Sequence, residues 1–226
     1  MATFVLIHGA GDVGWYWHLV EANLRRHGHD VVAPDLPCEN DAAGLSDYAD
    51  TVITAIGDRT DLVVVAQSLG AFTAPLVCAR KKSALLVLVA GLVPAPGEAA
   101  ADWWADTGYD DEVHEHYAND IELVYQDVPA DLAAETLRRG RRQSETAARD
   151  PWPLKAWPDV PTRFILCRND RLLPAAFLRR VVKDPLGITP DEIDAGHCVA
   201  LSRPREIADR LEKYCALAVA GGRTEP

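Results

Sequence analysis

The sequence predicts an α/β fold, a mostly parallel sheet with helices on both faces, interrupted by a helical segment. Three observations lead there. Short β-branched, apolar runs alternate with stretches of helical spacing through the first 93 residues. The same alternation resumes at residue 162 and continues toward the C-terminus. The run Leu62-Val63-Val64-Val65-Ala66 carries no polar residue, as expected of a strand buried on both faces.

Taken in order, Phe4-Val5-Leu6-Ile7 reads as a strand that ends at His8-Gly9. Trp15 to His27 has helical spacing, with Trp15, Leu19, Ala22 and Leu24 toward one side. Asp30-Val31-Val32-Ala33 is a second strand, stopped by Pro34. Leu45 to Arg59 is an amphipathic helix carrying Tyr48, Val52 and Ile56. After the strand at 62–66 come a helix from Leu69 to about Lys82 and a strand from Ala84 to Ala90. Near the C-terminus, Thr162 to Cys167 is a strand, Ala175 to Val182 a helix, Glu192-Ile193-Asp194 a short strand and Pro204 to Ala220 a last helix.

Between Pro94 and Pro161 the alternation stops, and tryptophans and tyrosines concentrate. Pro94-Ala95-Pro96-Gly97 and Pro151-Trp152-Pro153 mark its edges. The expected organisation is therefore a core of residues 1–93 and 162–226 with a small helical cap at 94–161. Gly221 to Pro226 reads as a frayed tail.

Charge and cysteine content limit the partners. With 23 Lys and Arg against 34 Asp and Glu, the formal net charge of −11 repels a nucleic-acid backbone. The one dense basic stretch, Arg138, Arg139, Arg141 and Arg142, reads as the solvated end of a helix. Five scattered cysteines with no C-x-x-C pair suit free thiols in a reducing compartment, and the cytoplasm is the default expectation. The residues before the first strand carry no positive region, so no signal peptide is expected. The longest apolar run, Leu85 to Val93, covers about half of what a bilayer requires, so no membrane partner is expected either.

The candidate chemistry begins at Ala66-Gln67-Ser68-Leu69-Gly70, directly after a buried strand and before a helix. A nucleophilic serine needs a sharp turn, and small neighbours let that turn close. The usual pattern is G-x-S-x-G, with Ala66 here replacing the first glycine. An isolated serine there is equally an ordinary helix cap. Two distant elements shift the balance. Ile165-Leu166-Cys167-Arg168-Asn169-Asp170 reads as a strand ending in an acid, with Pro174 opening the next helix, and His197 sits in the loop Ala195-Gly196-His197 after the next strand. A serine requires a base to take its proton, and the base requires a carboxylate to fix its tautomer. The order Ser68, Asp170, His197, each after a strand, satisfies that requirement. The glycine-rich stretch His8 to Trp15 can point the Ala10 N–H into the same site as the Leu69 N–H, forming an oxyanion hole. His8 reads as a locally bonded turn residue.

With these residues in view, the chain resembles the small, short-cap α/β hydrolases, a group that includes plant methylesterases, hydroxynitrile lyases and bacterial esterase relatives. The matching pieces are Phe4 to Ala10 with Gly14-Trp15-Tyr16-Trp17, Ala33-Pro34-Asp35-Leu36-Pro37, Gln67 to Ala71, Asn169-Asp170, and Gly196-His197 with Leu201-Ser202-Arg203-Pro204. The resemblance implies the α/β-hydrolase fold and assigns Ser68, Asp170 and His197 to the triad and Ala10 and Leu69 to the oxyanion hole. It implies a serine hydrolase acting on a small carboxylic ester, thioester or lactone, with no cofactor and no metal. Trp103, Trp104 and Tyr125 of the cap are candidates for the substrate pocket.

Rival readings remain. Lyase-type C–C cleavage on the same fold usually uses a lysine after the histidine, where this chain has Cys198. Gly9 to Gly14 also spells G-x-G-x-x-G with Asp35 about twenty residues on, the fingerprint of an NAD(P)-dependent oxidoreductase. Against it, Trp15-Tyr16-Trp17 crowds the helix start that would approach a pyrophosphate. A ligand-binding protein without catalysis is a third possibility. His114 and His116 near Asp110 and Asp111 read as a solvated face and not as a metal site. The sequence is silent on the natural substrate and the oligomeric state.

Overall fold

The computed structural model describes residues 1–109 and 119–221. Six parallel strands form one sheet: β1 (Thr3–Ile7), β2 (Asp30–Val32), β3 (Leu62–Gln67), β4 (Ser83–Val89), β5 (Thr162–Cys167) and β6 (Asp191–Ile193), in the order β2-β1-β3-β4-β5-β6. The chain runs outward from β1 to β2, then crosses back to place β3 on β1's other side. In such open sheets the crevice beyond the strands' C-terminal ends at the reversal is the natural ligand site.

Side-chain alternation divides the core into two layers. Val5, Ile7, Val64, Ala66, Leu86 and Leu88 face one side, against α2 (Leu45–Ile56), α3 (Gly70–Arg80) and α8 (Ala175–Leu186). Phe4, Leu6, Val63, Val65, Val87 and Val89 face the other, against α1 (His18–Arg26) and α10 (Pro204–Gly221). The helix expected over 15–27 divides into a 3-10 turn at Gly14–Trp17 and then α1. Tyr16 and Trp17 are buried by that turn.

Among the described residues, 94–161 contain no strand. They hold the short helices α4 (Trp103–Asp106), α5 (Asp120–Leu123), α6 (Ala130–Arg139) and α7 (Glu145–Arg149). The brief α9 (Val199–Ser202) follows β6. No helix among the described residues is long and apolar enough to cross a membrane.

Candidate active site

Ser68 lies directly after β3 with φ +51°, in the left-handed region that a side chain rarely enters. Neighbouring strands hold this turn. Ser68 N–H donates to Val89 O at 3.2 Å, and Ser68 O accepts from Ala71 N at 3.1 Å and Leu92 N at 3.2 Å. Strained backbone of this kind persists only where its surroundings over-determine it. Gly70 is required by closeness: a Cβ there would lie 2.6 Å from His8 O and 3.1 Å from Ile7 O. The helix α3 therefore starts hard against the end of β1.

Asp170 and His197 come from the loops after β5 and β6, and the structure brings them together. His197 Nδ1 is 2.7 Å from Asp170 Oδ2, and both side chains are buried. Asp170 Oδ1 accepts from Leu172 N and Leu173 N, each at 2.9 Å, so the carboxylate is held in one orientation. With Nδ1–H donating to the carboxylate, Nε2 of the neutral ring offers a lone pair. That lone pair accepts from Gln67 Nε2 at 2.9 Å. Among the described residues Ser68 Oγ makes no hydrogen bond, although Ser68, Gln67 and His197 line one cavity. Gln67 is a buried neighbour of His197 that sequence reasoning missed; its only signal was its place beside the serine, at a strand end where a buried polar side chain needs a partner.

The cavity measures about 490 Å³ and is also lined by Ala10, Asp12, Tyr125, Leu137, Arg141 and Cys198. His8 lies behind the Gly9–Ala10 loop that lines it. The ring is fully buried, donates through Nδ1 to Gly9 O at 2.8 Å and accepts at Nε2 from Leu36 N at 3.0 Å. Burial holds its pKa down at about 4, only partly offset by the Gly9 carbonyl, so the neutral ring persists. The peptide after Gly9 is planar and trans, so pinning Gly9 O turns the Ala10 N–H the opposite way. Among the described residues neither Ala10 N–H nor Leu69 N–H donates to a protein acceptor. Leu69 also lines a neighbouring crevice, together with His8 and Tyr48. Burial pushes the Asp12 carboxyl up to about 6 and the Cys198 thiol well above its ordinary value.

The pocket expected from the cap aromatics needs correction at two of three positions. Trp103 is fully buried, donates its indole N–H to Val93 O at 3.1 Å and packs edge-on against Phe177. Trp104 packs against Trp103 and Tyr109 and does not line the cavity. Tyr125 does line it. An indole that satisfies its N–H inside the core is a structural anchor, and composition cannot separate the two uses.

The basic stretch is exposed, but it is not simply a solvated helix end. Arg138 and Arg139 pair with Glu135 on α6, whereas Arg141 and Arg142 lie beyond the helix and reach Asp35 and Asp41. The glycine motif is also accounted for. Gly14 N–H donates to Asp35 Oδ1 at 2.8 Å, and a Cβ at Gly14 would meet Ala33 O at 2.0 Å. Asp35 is thus engaged with the loop and Arg141, where a nucleotide reading needs it for a ribose. Asp110, Asp111, His114 and His116 lie outside the described residues; among the described ones no group of three or more metal-binding side chains occurs.

Comparison with known proteins agrees with this fold. A family model described as "Alpha/beta hydrolase family" matches residues 4–210. Norfluorocurarine synthase 1 of Strychnos nux-vomica is 24% identical over 93% of this chain and 94% of its own length. Methylesterase 7 of Arabidopsis thaliana is 26% identical over 92% of this chain and 94% of its own. The crystal structure of polyneuridine aldehyde esterase superposes with a TM-score of 0.79 at 20% identity, covering 95% of this chain and 99% of that one. The chain belongs to the alpha/beta hydrolase family.

Proposed function

We propose that the protein is a serine hydrolase that cleaves a small carboxylic ester through an acyl-enzyme, with Ser68 as nucleophile, His197 as base and Asp170 orienting the base. The observation that carries this reading is the 2.7 Å contact of His197 Nδ1 with a doubly anchored Asp170, beside a serine held at φ +51°. Asp170 keeps the proton on Nδ1, leaving Nε2 to take the Ser68 proton. Gln67 holds that lone pair at rest. As substrate fills the cavity the amide yields it to the Ser68 hydroxyl. Attack on the carbonyl then develops a charge that the Ala10 and Leu69 N–H groups receive. His197 returns its proton to the leaving alcohol, then activates water to release the acid.

Thioesters and lactones follow the same steps. The esterase names of relatives such as Methylesterase 7 support an ester substrate. Cytoplasmic residence is the matching setting, since all five cysteines are free thiols. The test is Ser68→Ala, assayed with p-nitrophenyl acetate and a fluorophosphonate probe. Turnover and labelling should both vanish with melting unchanged; full turnover in the variant would refute the assignment.

A further inference from the structure

We propose that Gln143, on the segment that follows cap helix α6, is a positioning residue for the oxyanion loop, with Arg141 seating that segment against it. The inference rests on the reading of the Ala10 N–H as an oxyanion donor. Three contacts define the arrangement. Gln143 Oε1 accepts from Gly11 N–H at 3.1 Å, and Arg141 N–H donates to Gly11 O at 2.6 Å. The Arg141 guanidinium holds Asp35 Oδ2 at 2.9 Å, while Asp35 Oδ1 holds Gly14 N–H at 2.8 Å. The peptides on both sides of Gly11 and the far end of the loop are thus gripped from one segment.

The amide orientation of Gln143 is set by its other partners. Its Nε2 donates to Tyr48 Oη at 3.1 Å and Ser144 O at 3.2 Å, so its oxygen must face Gly11. The segment itself is anchored to the core side, through Ser144 N–H to Cys38 O at 2.6 Å and Arg142 to both Asp41 oxygens at 2.8 and 2.9 Å. The approach admits only glycine at position 11, where φ is +63° and a Cβ would strike Arg141 O at 2.7 Å.

The physical consequence concerns orientation. His8 fixes the peptide that carries the Ala10 N–H, but the next bonds pass through Gly11, a residue with wide rotational freedom. Oxyanion donors lower a barrier only if they are aimed before charge develops, since reorienting them during the reaction consumes the gain. Gln143 holds the Ala10–Gly11 peptide, so Ala10 is restrained on both sides. The cap would therefore do more than shape the pocket. It would keep the donor in register.

The experiment compares Gln143→Leu, which removes the acceptor, with Gln143→Glu, which keeps one facing Gly11. Each is assayed with p-nitrophenyl acetate and with an alkyl trifluoromethyl ketone, whose adduct with Ser68 places an oxyanion in the hole. Gln143→Leu should lower kcat and ketone affinity by about tenfold or more with KM unchanged, and Gln143→Glu, which recovers the acceptor for Gly11 N–H but loses the donor to Ser144 O, should restore part of the loss. Arg138→Ala, confined to a pair with Glu135, should match the wild type. Unchanged ketone affinity in Gln143→Leu, or equal losses in KM and ketone affinity, would overturn the proposal. If the leucine variant does not fold, Gln143→Met is read against the same criteria. Full turnover by Ser68→Ala would overturn the underlying reading as well, and is recognisable without any Gln143 variant.

Discussion

Replacing Asp170 with asparagine tests the most specific consequence of the site. Asp170 Oδ1 accepts two backbone donors, Leu172 N and Leu173 N, each at 2.9 Å. An asparagine must keep its amide oxygen there, because the reverse orientation leaves one buried and one half-buried N–H donor unpaired, at roughly 1–3 kcal/mol for the buried one. The amide nitrogen then takes the place of Oδ2, 2.7 Å from His197 Nδ1. A donor at that position requires the lone pair on Nδ1, so the ring proton moves to Nε2. The base can no longer accept from Ser68. Tautomer inversion of this kind costs on the order of 10⁴-fold in kcat, or about 5 kcal/mol of barrier. The assay is pre-steady-state and steady-state hydrolysis of p-nitrophenyl acetate by Asp170→Asn, with ¹⁵N spectra of the imidazole to identify the protonated nitrogen and a melting curve to verify the fold. Activity within about tenfold of wild type, in a folded protein with the proton on Nε2, would refute the reasoning.

Two further predictions follow from groups around the site. Gln67→Leu removes the amide that competes with Ser68 for Nε2, a hydrogen bond worth about 0.5–1.5 kcal/mol, so fluorophosphonate labelling should accelerate by roughly two- to tenfold; slower labelling in a folded variant would show that the amide supports the base instead. The second concerns stability and pH. His8 is depressed from 6.5 to about 4, so between those values the unfolded chain binds a proton the folded protein refuses, and acidification destabilises by roughly 3 kcal/mol. Asp12 is raised from 3.8 to about 6, so its contribution has the opposite sign, present at low pH and lost as pH rises through about 6. The two oppose each other in the wild type. Asp12→Asn removes the opposing contribution and unmasks His8, so urea titrations should show the variant losing roughly 2 kcal/mol more than wild type from pH 6.5 to pH 4, while carboxylates common to both cancel. Parallel pH profiles would rule this out.

Much of this protein was legible from the chain because the relevant signals are local. Strand and helix periods and the small residues around Ser68 depend on residues near one another in sequence, and Asp170 and His197 were each legible from the strand directly before them. A serine after a buried strand and before a helix has few geometries open to it, and the structure shows that turn with Gly70 packed against β1. Helix bounds were less legible, as the 3-10 turn before α1 shows, because its residues are set by the burial of Tyr16 and Trp17.

What only the tertiary structure decided are the contacts between segments far apart in the chain. Gln143 meets Gly11 across 132 positions and Gln67 meets His197 across 130, and no periodicity encodes such partners. The same holds for the cap aromatics, where Trp103 and Tyr125 have similar chemistry but opposite placements, one in the core and one on the cavity. The arginines past α6 likewise take their partners from loops over a hundred residues away, at Asp35 and Asp41. Sequence composition determines that an apolar or charged side chain needs a partner. Which partner it finds depends on where the sheet order brings the loops together, and that is a property of the folded chain alone.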